Sequence, residues 1–236
     1  MVYSSHHFSL KLALIITIGC SILFITVPEI DLLFASLFFE GDNNFLLRNS
    51  LIHSFMDAWV RPSIKYLVII LAVLTALSIL SNGQYIGWSI RNIIFIALTF
   101  SLGPGLIVNG LLKEFIGRAR PKNIIEFGGD KIFSPAYFPS NQCAHNCSFV
   151  SGDVAFAFAT IAFPLLLSGM QRKIGILISM IFGTSIAFYR LGTGAHFLSD
   201  TILAGLLSVI TALFCYIIIV EKPSLRNGTL GRDDSH

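Results

Sequence analysis

The sequence predicts an all-α integral membrane protein with six transmembrane helices and an outer interfacial helical segment. Three observations carry this expectation. Charged residues make up only 12% of the chain and hydrophobic residues 54%, against roughly 25% charge in a soluble domain. The apolar residues gather into six stretches near the ~20 residues that cross a bilayer. The chemically active side chains collect at the ends of those stretches. No linker, repeat or low-complexity tract divides the sequence, so residues 1–236 read as one domain.

The first stretch, Leu10–Val27, lies where a signal peptide would. It lacks a small-x-small cleavage site and runs into Pro28-Glu29-Ile30-Asp31, so it reads as an uncleaved span. Residues 29–62 are amphipathic in places and end on Trp59, Arg61 and Pro62. They fit a helix lying on the outer surface, with a re-entrant segment as the alternative. The second span is Ser63–Leu80 and the third Ile93–Leu112. Pro104, between Gly103 and Gly105, predicts a kink in the third. Val154–Ser168 and Ile174–Tyr189 are short fourth and fifth spans, and Thr201–Val220 is the sixth.

Six spans put both termini on one side, assigned here as cytoplasmic. Seven Lys and Arg then lie inside and nine outside. The positive-inside rule does not favour that count, so the assignment rests on several outer cations being held by function. The net charge of +3 is too small and dispersed to imply a nucleic-acid partner. Cys20 and Cys215 fall in spans as small apolar groups. Cys143 and Cys147 fall outside, where an oxidising compartment favours a disulfide. A metal site that includes His145 is the lesser alternative for this pair.

Three polar clusters sit at the outer ends of spans three to six. The first is "KEFIGRARP", Lys113 to Pro121. Arg grips phosphate oxygens in a planar fork and Lys acts as a point charge; the bland reading is interfacial snorkelling. The second is Ser151-Gly152-Asp153 at a helix start. Free N–H groups and the positive dipole end favour an anion there; the bland reading is an ordinary cap with a first-turn acid. The third is "RLGTGAHFLSD", in which His196 and Asp200 are four apart. On a helix, that spacing lets a carboxylate hold one imidazole nitrogen and free the other to attack. The bland reading is a pair that only caps span six. Cations, a helix-start anion site and a His–Asp pair together match what phosphoryl transfer needs: charge neutralisation, positioning and a nucleophile. No cofactor or metal motif is apparent.

Lys113-x6-Arg120-Pro121, Ser151-Gly152 and Arg190-x5-His196-x3-Asp200 resemble the three-part signature of the type 2 phosphatidic acid phosphatase (PAP2) superfamily. The order and spacings match from the third span to the sixth. Two positions depart: Val150 stands where Pro is usual, and Asp153 where His is usual. Tyr189 replaces a common Ser, a smaller change. Three segments, "FGGDKIF", "NQCAHNCSFVSGD" and "GLIVNGLLKEFIGRARP", resemble the lipid A 4′-phosphatase branch, which also tolerates Asp after the Gly.

The resemblance implies a nucleophilic His196, an orienting Asp200, and phosphate-holding Lys113, Arg120, Arg190, Ser151 and Gly152. Asp153 becomes a candidate general acid, and Arg118 a lesser residue touching headgroups. It also implies a lipid substrate taken from the bilayer and an active site on the periplasmic face of a Gram-negative inner membrane. The alternatives are a lipid A 1-phosphatase, an undecaprenyl diphosphate phosphatase or a phosphatidylglycerophosphate phosphatase. From a different class, a lipid-binding or transport protein would keep the site as an anion cradle.

Overall fold

The computed structural model describes residues 3–60 and 89–221, and only scattered positions from 66 to 80 between them. The second expected span, Ser63–Leu80, therefore lies largely outside the described residues. Among the described residues four helices are long and apolar enough to cross a membrane: His6–Thr26, Ile90–Asn123, Gly169–Gly192 and Leu198–Glu221.

Helix α1, Tyr3–Thr26, leads to a short α2, Glu29–Ser36. Many apolar residues of α1, Ile15 and Ile18 among them, are exposed on the protein surface, as expected of a helix bathed in lipid. The expected interfacial helix is broken beyond α2. Phe39–Gly41 and Asn44–Phe45 pair as an antiparallel hairpin, β1 and β2. The cause is local: Gly41, Asp42 and Asn43 all take positive φ, the backbone of a tight hairpin turn that Gly, Asp and Asn tolerate. A short α3, Leu51–Phe55, follows, capped by the Ser50 hydroxyl, which accepts from the His53 N–H.

Helix α4, Ile90–Phe100, continues through a wide-turned stretch, Ser101–Leu112, into a last turn, Lys113–Ile116. Pro104 lies inside the wide stretch, where a missing N–H spoils regular helical bonding. The Asn109 amide donates to the Pro104 carbonyl at 2.6 Å. Gly117, with φ 62°, ends the helix in the left-handed region. A side chain there would collide with the Ser140 carbonyl, so only glycine lets the chain turn directly into Arg118.

A long irregular loop then leads to α5, Gly152–Ala159, and α6, Ala162–Leu165. The fourth expected span is corrected here: Gly152–Leu165 is a shorter apolar helix with a break before Ala162. Its length falls below that needed for the roughly 30 Å hydrocarbon layer. The fifth is longer than expected: α7 runs Gly169–Gly192. Helix α8, Leu198–Cys215, continues to Glu221.

The bundle has two chemically distinct ends. At one, Arg172 faces the His6 ring at 3.2 Å and donates to the Tyr216 hydroxyl at 3.3 Å, tying together α1, α7 and α8. At the other lie the last turn of α4, the start of α5, the end of α7 and the start of α8. The candidate residues gather at this second end. An apolar cluster of Ala35, Phe45, Ala119, Ile124, Phe127 and Phe197 packs the hairpin and loop onto it.

Candidate active site

Backbone hydrogen bonds assemble the three motifs before any side chain acts. The Ser148 N–H donates to the Arg118 carbonyl at 2.9 Å, and the Ser151 N–H to the Asp200 carbonyl at 3.1 Å. The Leu47 N–H donates to the Gly192 carbonyl and the Lys122 N–H to the Gly194 carbonyl, at 2.8 and 3.0 Å. The turn between Arg190 and His196 is thus clamped from both sides.

Lys113 and Arg120 converge on one residue. The Lys113 ammonium donates to the Asn146 side-chain oxygen at 3.1 Å, and Arg120 to the Asn146 carbonyl at 2.7 Å. Cys143 and Cys147 are disulfide-bonded across this loop, with Cα atoms 5.6 Å apart. Gly152 presses against the same cluster: a Cβ there would lie 2.7 Å from Asn109 Oδ1 and 3.3 Å from Lys113 Nζ. This is the close backbone approach that glycine permits. Arg190 is buried, with Nε 3.3 Å from Asp153 Oδ2. The Ser151 hydroxyl is buried and has no hydrogen-bond partner among the described residues; it does not cap its helix.

His196 is fully enclosed, 1% exposed. The expected His196–Asp200 hydrogen bond is corrected by the structure. His196 precedes α8 rather than sitting on it, and Nδ1 meets the Ser148 carbonyl at 2.7 Å. Asp200 Oδ2 stands 3.7 Å away, too far for a hydrogen bond. A carbonyl only accepts, so Nδ1 carries the proton and the ring's lone pair lies on Nε2. Burial pushes the imidazole pKa down to about 3, with Arg190 and Arg120 also lowering it and Asp200 opposing. The ring is therefore neutral at physiological pH, the protonation state of a nucleophile.

The Asp200 carboxylate is occupied by other donors. Arg118 donates to Oδ1 at 2.7 Å, while the Phe197 N–H, at 2.8 Å, and the Ser148 hydroxyl donate to Oδ2. The contact to the Phe197 N–H is also a helix-start cap. Arg118, read from sequence as a headgroup contact, is corrected: it has no exposure at all. Its guanidinium reaches Asp200, the Ser199 hydroxyl at 2.9 Å, the Ser134 carbonyl at 2.7 Å and Asp31 at 2.8 Å. It also lies over the Phe197 ring, 4.2 Å from the centroid.

Sequence reasoning missed Asp31, Asn146, Ser148 and Ser199. His53 also comes close to the site: its Nδ1 lies 2.7 Å from the hydroxyl of Tyr189, the residue before Arg190. A signal existed for Asp31: an acid just past an apolar span is costly without a partner.

Cations gathered around a neutral, buried histidine at one end of a helical membrane bundle define a protein built to handle phosphoryl groups. The chain belongs to the PAP2 superfamily, whose family model matches residues 94–223. It is a phosphoric monoester hydrolase of the lipid-phosphatase kind. Among similar proteins is the lipid A 4′-phosphatase of Francisella tularensis subsp. novicida (strain U112), 30% identical over 225 residues, covering 91% of this chain and 97% of the relative. The lipid A 4′-phosphatase of Rhizobium leguminosarum is 37% identical over 113 residues, 48% of each chain. That of Rhizobium etli (strain ATCC 51251 / DSM 11541 / JCM 21823 / NBRC 15573 / CFN 42) is 40% identical over 111 residues, 46% of this chain and 42% of the relative. No solved structure matches the chain.

Proposed function

We propose that this phosphatase removes the 4′-phosphate from lipid A or a lipid A precursor, taken from the bilayer, at the periplasmic face of the inner membrane. The near full-length likeness to a lipid A 4′-phosphatase supports the substrate. The observation that carries the chemistry is His196: neutral, with Nδ1 held by Ser148 and the lone pair on Nε2.

In this reading Nε2 attacks phosphorus in line, forming an N–P bond as the bond to the sugar oxygen breaks. The electron pair leaves on that oxygen, which takes up a proton. Water then attacks the phosphohistidine, releasing inorganic phosphate and restoring the ring. Lys113, Arg120 and Arg190 hold the phosphoryl oxygens together with the Ser151 hydroxyl and the Gly152 N–H. Asp153, in ion-pair contact with Arg190, either orients that guanidinium or protonates the leaving oxygen. Six spans complete the topology in this reading: the four long helices, Ser63–Leu80, and the broken Gly152–Leu165 segment, which is too short by itself and crosses only together with its flanking residues. Both termini are then cytoplasmic.

Mass spectrometry of lipid A from cells with and without the gene tests the substrate. The expected result is loss of one phosphate, placed by fragmentation on the non-reducing sugar. Unchanged lipid A, or loss from the reducing end, overturns it. Reporters after His236 and near Gly128 test sidedness, with cytoplasmic and periplasmic signals expected in that order.

A further inference from the structure

Asp31 lies on α2, outside the residues matched by the superfamily model. Yet it enters the most buried polar cluster of the described residues. Asp31, Arg118, Ser199, Ser148 and Asp200 all have 0% exposure. The Ser199 N–H donates to Asp31 Oδ1 at 2.8 Å, and Arg118 to Oδ2 at 2.8 Å. The Ser199 hydroxyl accepts from Arg118, so its own proton goes to Asp31 Oδ2. Three donors thus serve the two oxygens of Asp31. Burial, with Asp200 beside it, holds the carboxyl above the usual carboxylate range against the opposing pull of Arg118 and Ser199; the ionised form is read from the geometry, because all three contacts are donors to it.

The charge count then has a consequence for His196. Arg118 bridges two carboxylates, Asp31 and Asp200. Paired with Asp200 alone it would form a neutral unit. With Asp31 added, the buried cluster carries one net negative charge, and its Asp200 Oδ2 stands 3.7 Å from His196 Nδ1. When Nε2 bonds to phosphorus the ring becomes cationic, with its proton still on Nδ1. A net negative charge behind Nδ1 favours that state, and the rigid cluster needs no reorganisation to supply it.

We infer that Asp31 is a positioning residue for the reaction. It takes up the charge of Arg118, so that Asp200 presents uncompensated negative charge to His196 as the phosphohistidine forms. The inference rests on the phosphohistidine reading proposed above.

The test uses full-length protein in detergent, with bisphosphorylated lipid A and p-nitrophenyl phosphate as separate substrates. Asp31→Asn keeps the shape and removes the charge. The expected loss in kcat is about tenfold to a hundredfold, the range for one charge several ångströms from a reacting group at an effective dielectric near ~20. KM should stay within about twofold, since no phosphate contact is removed. Asp31→Asn/Arg118→Gln restores the net charge, and its kcat should exceed that of Asp31→Asn. A purely structural role predicts the reverse, because the double variant loses more hydrogen bonds. A kcat for Asp31→Asn within twofold of the parent, or a double variant no faster than the single, overturns the inference. If the double variant does not fold, rapid-quench labelling of Asp31→Asn decides. Slower phosphohistidine build-up at an unchanged melting temperature supports the inference; a loss that tracks a lowered melting temperature overturns it. The two substrates separate this outcome from the substrate question: turnover of the aryl phosphate without lipid A leaves the Asp31 comparison measurable. Absence of any labelled histidine in the parent enzyme sinks the phosphohistidine reading itself.

Discussion

Arg118 and Arg120 are the same residue type, two positions apart, with opposite fates. Arg118 is sealed inside, with two carboxylates, a hydroxyl and a carbonyl around its guanidinium. Arg120 is half-exposed and gives a hydrogen bond to the Asn146 carbonyl. The Gly117 turn and the extended backbone at Arg120 send one side chain beneath the loop and leave the other at its surface. A saturated guanidinium has little left to offer a ligand. One that is half-exposed at the loop surface stands where a phosphate can reach it. The pair separates what builds the site from what binds in it.

The largest effect should come from Arg118→Met. It leaves Asp31 and Asp200 buried beside each other without their cation, and breaking a buried ion pair in this way costs about 3–5 kcal/mol. The expected outcome is a large fall in melting temperature or failure to recover folded protein. Arg120→Ala should leave the melting temperature nearly unchanged and lower kcat/KM by about 10²-fold, as for loss of one preorganised phosphate contact. Thermal unfolding together with kinetics on both variants checks this. Equal destabilisation by the two substitutions would break the distinction.

How much of this contrast was legible in sequence differs by scale. Apolar runs betray helices because each is a local property, and α1, α4, α7 and α8 appear where expected. The hairpin was readable in Gly41-Asp42-Asn43 but was masked by the amphipathic residues around it. Motif spacing brought Lys113, Gly152, Arg190 and His196 to one end of the bundle, because each lies next to a helix terminus. Arg118 and Asp31 are 87 residues apart, and nothing local specifies that contact. His196 and Asp200 show the converse error. Spacing of four implies one helix face, but α8 begins only at Leu198, so the ring turns to Ser148 instead.

His196 offers the next way to sharpen the comparison, because its protonation reports first how fully it is enclosed and then the cations around it. Its pKa in the folded protein is depressed to about 3, against roughly 6.5 when unfolded. A depressed value means that the folded state resists protonation. The group's contribution to stability is full above about pH 6.5 and is lost as pH falls towards about 3. Imidazole resonances of labelled His196 should show the neutral ring throughout the range above about pH 5. Titration near pH 6.5 would mean that the ring is less enclosed than the geometry shows. His196→Ala should abolish turnover while the folded protein is retained; substantial residual activity would remove the phosphohistidine.

Asp153 should have a smaller effect than His196, and one that depends on the leaving group. Its carboxylate stands 3.3 Å from Arg190 Nε, which favours an ionised, orienting role in the resting enzyme. A bound phosphate dianion competes for Arg190 and loosens its hold on Asp153. If Asp153 then protonates the sugar oxygen, Asp153→Asn should slow lipid A hydrolysis by about 10²-fold. An aryl phosphate, with its better leaving group, should be slowed far less. Asp153→His should keep partial activity with its optimum moved to higher pH. Equal losses on both substrates would leave Asp153 as an orienting partner of Arg190.

The smallest effect is expected at Asn146, which separates the two ways a neutral residue can hold a cation. Its side-chain oxygen serves Lys113 and its carbonyl serves Arg120. Asn146→Gly removes only the first contact. Glycine suits the positive φ of 52° at this position, so backbone strain does not confuse the result. Loss of one hydrogen bond to a cation corresponds to about 1.5–3 kcal/mol at most, and Lys113 has other contacts to share the loss. KM should rise about threefold to tenfold, with kcat nearly constant, because ground-state and transition-state phosphates both use Lys113. Asn146→Asp keeps the oxygen and adds a charge that competes with phosphate for Lys113 and Arg120. It should raise KM further than the glycine variant does. If Asn146→Asp proves as active as the parent, added charge at Asn146 does not reach the phosphate contacts of Lys113 and Arg120, and the contrast between Arg120 and Arg118 rests on burial alone.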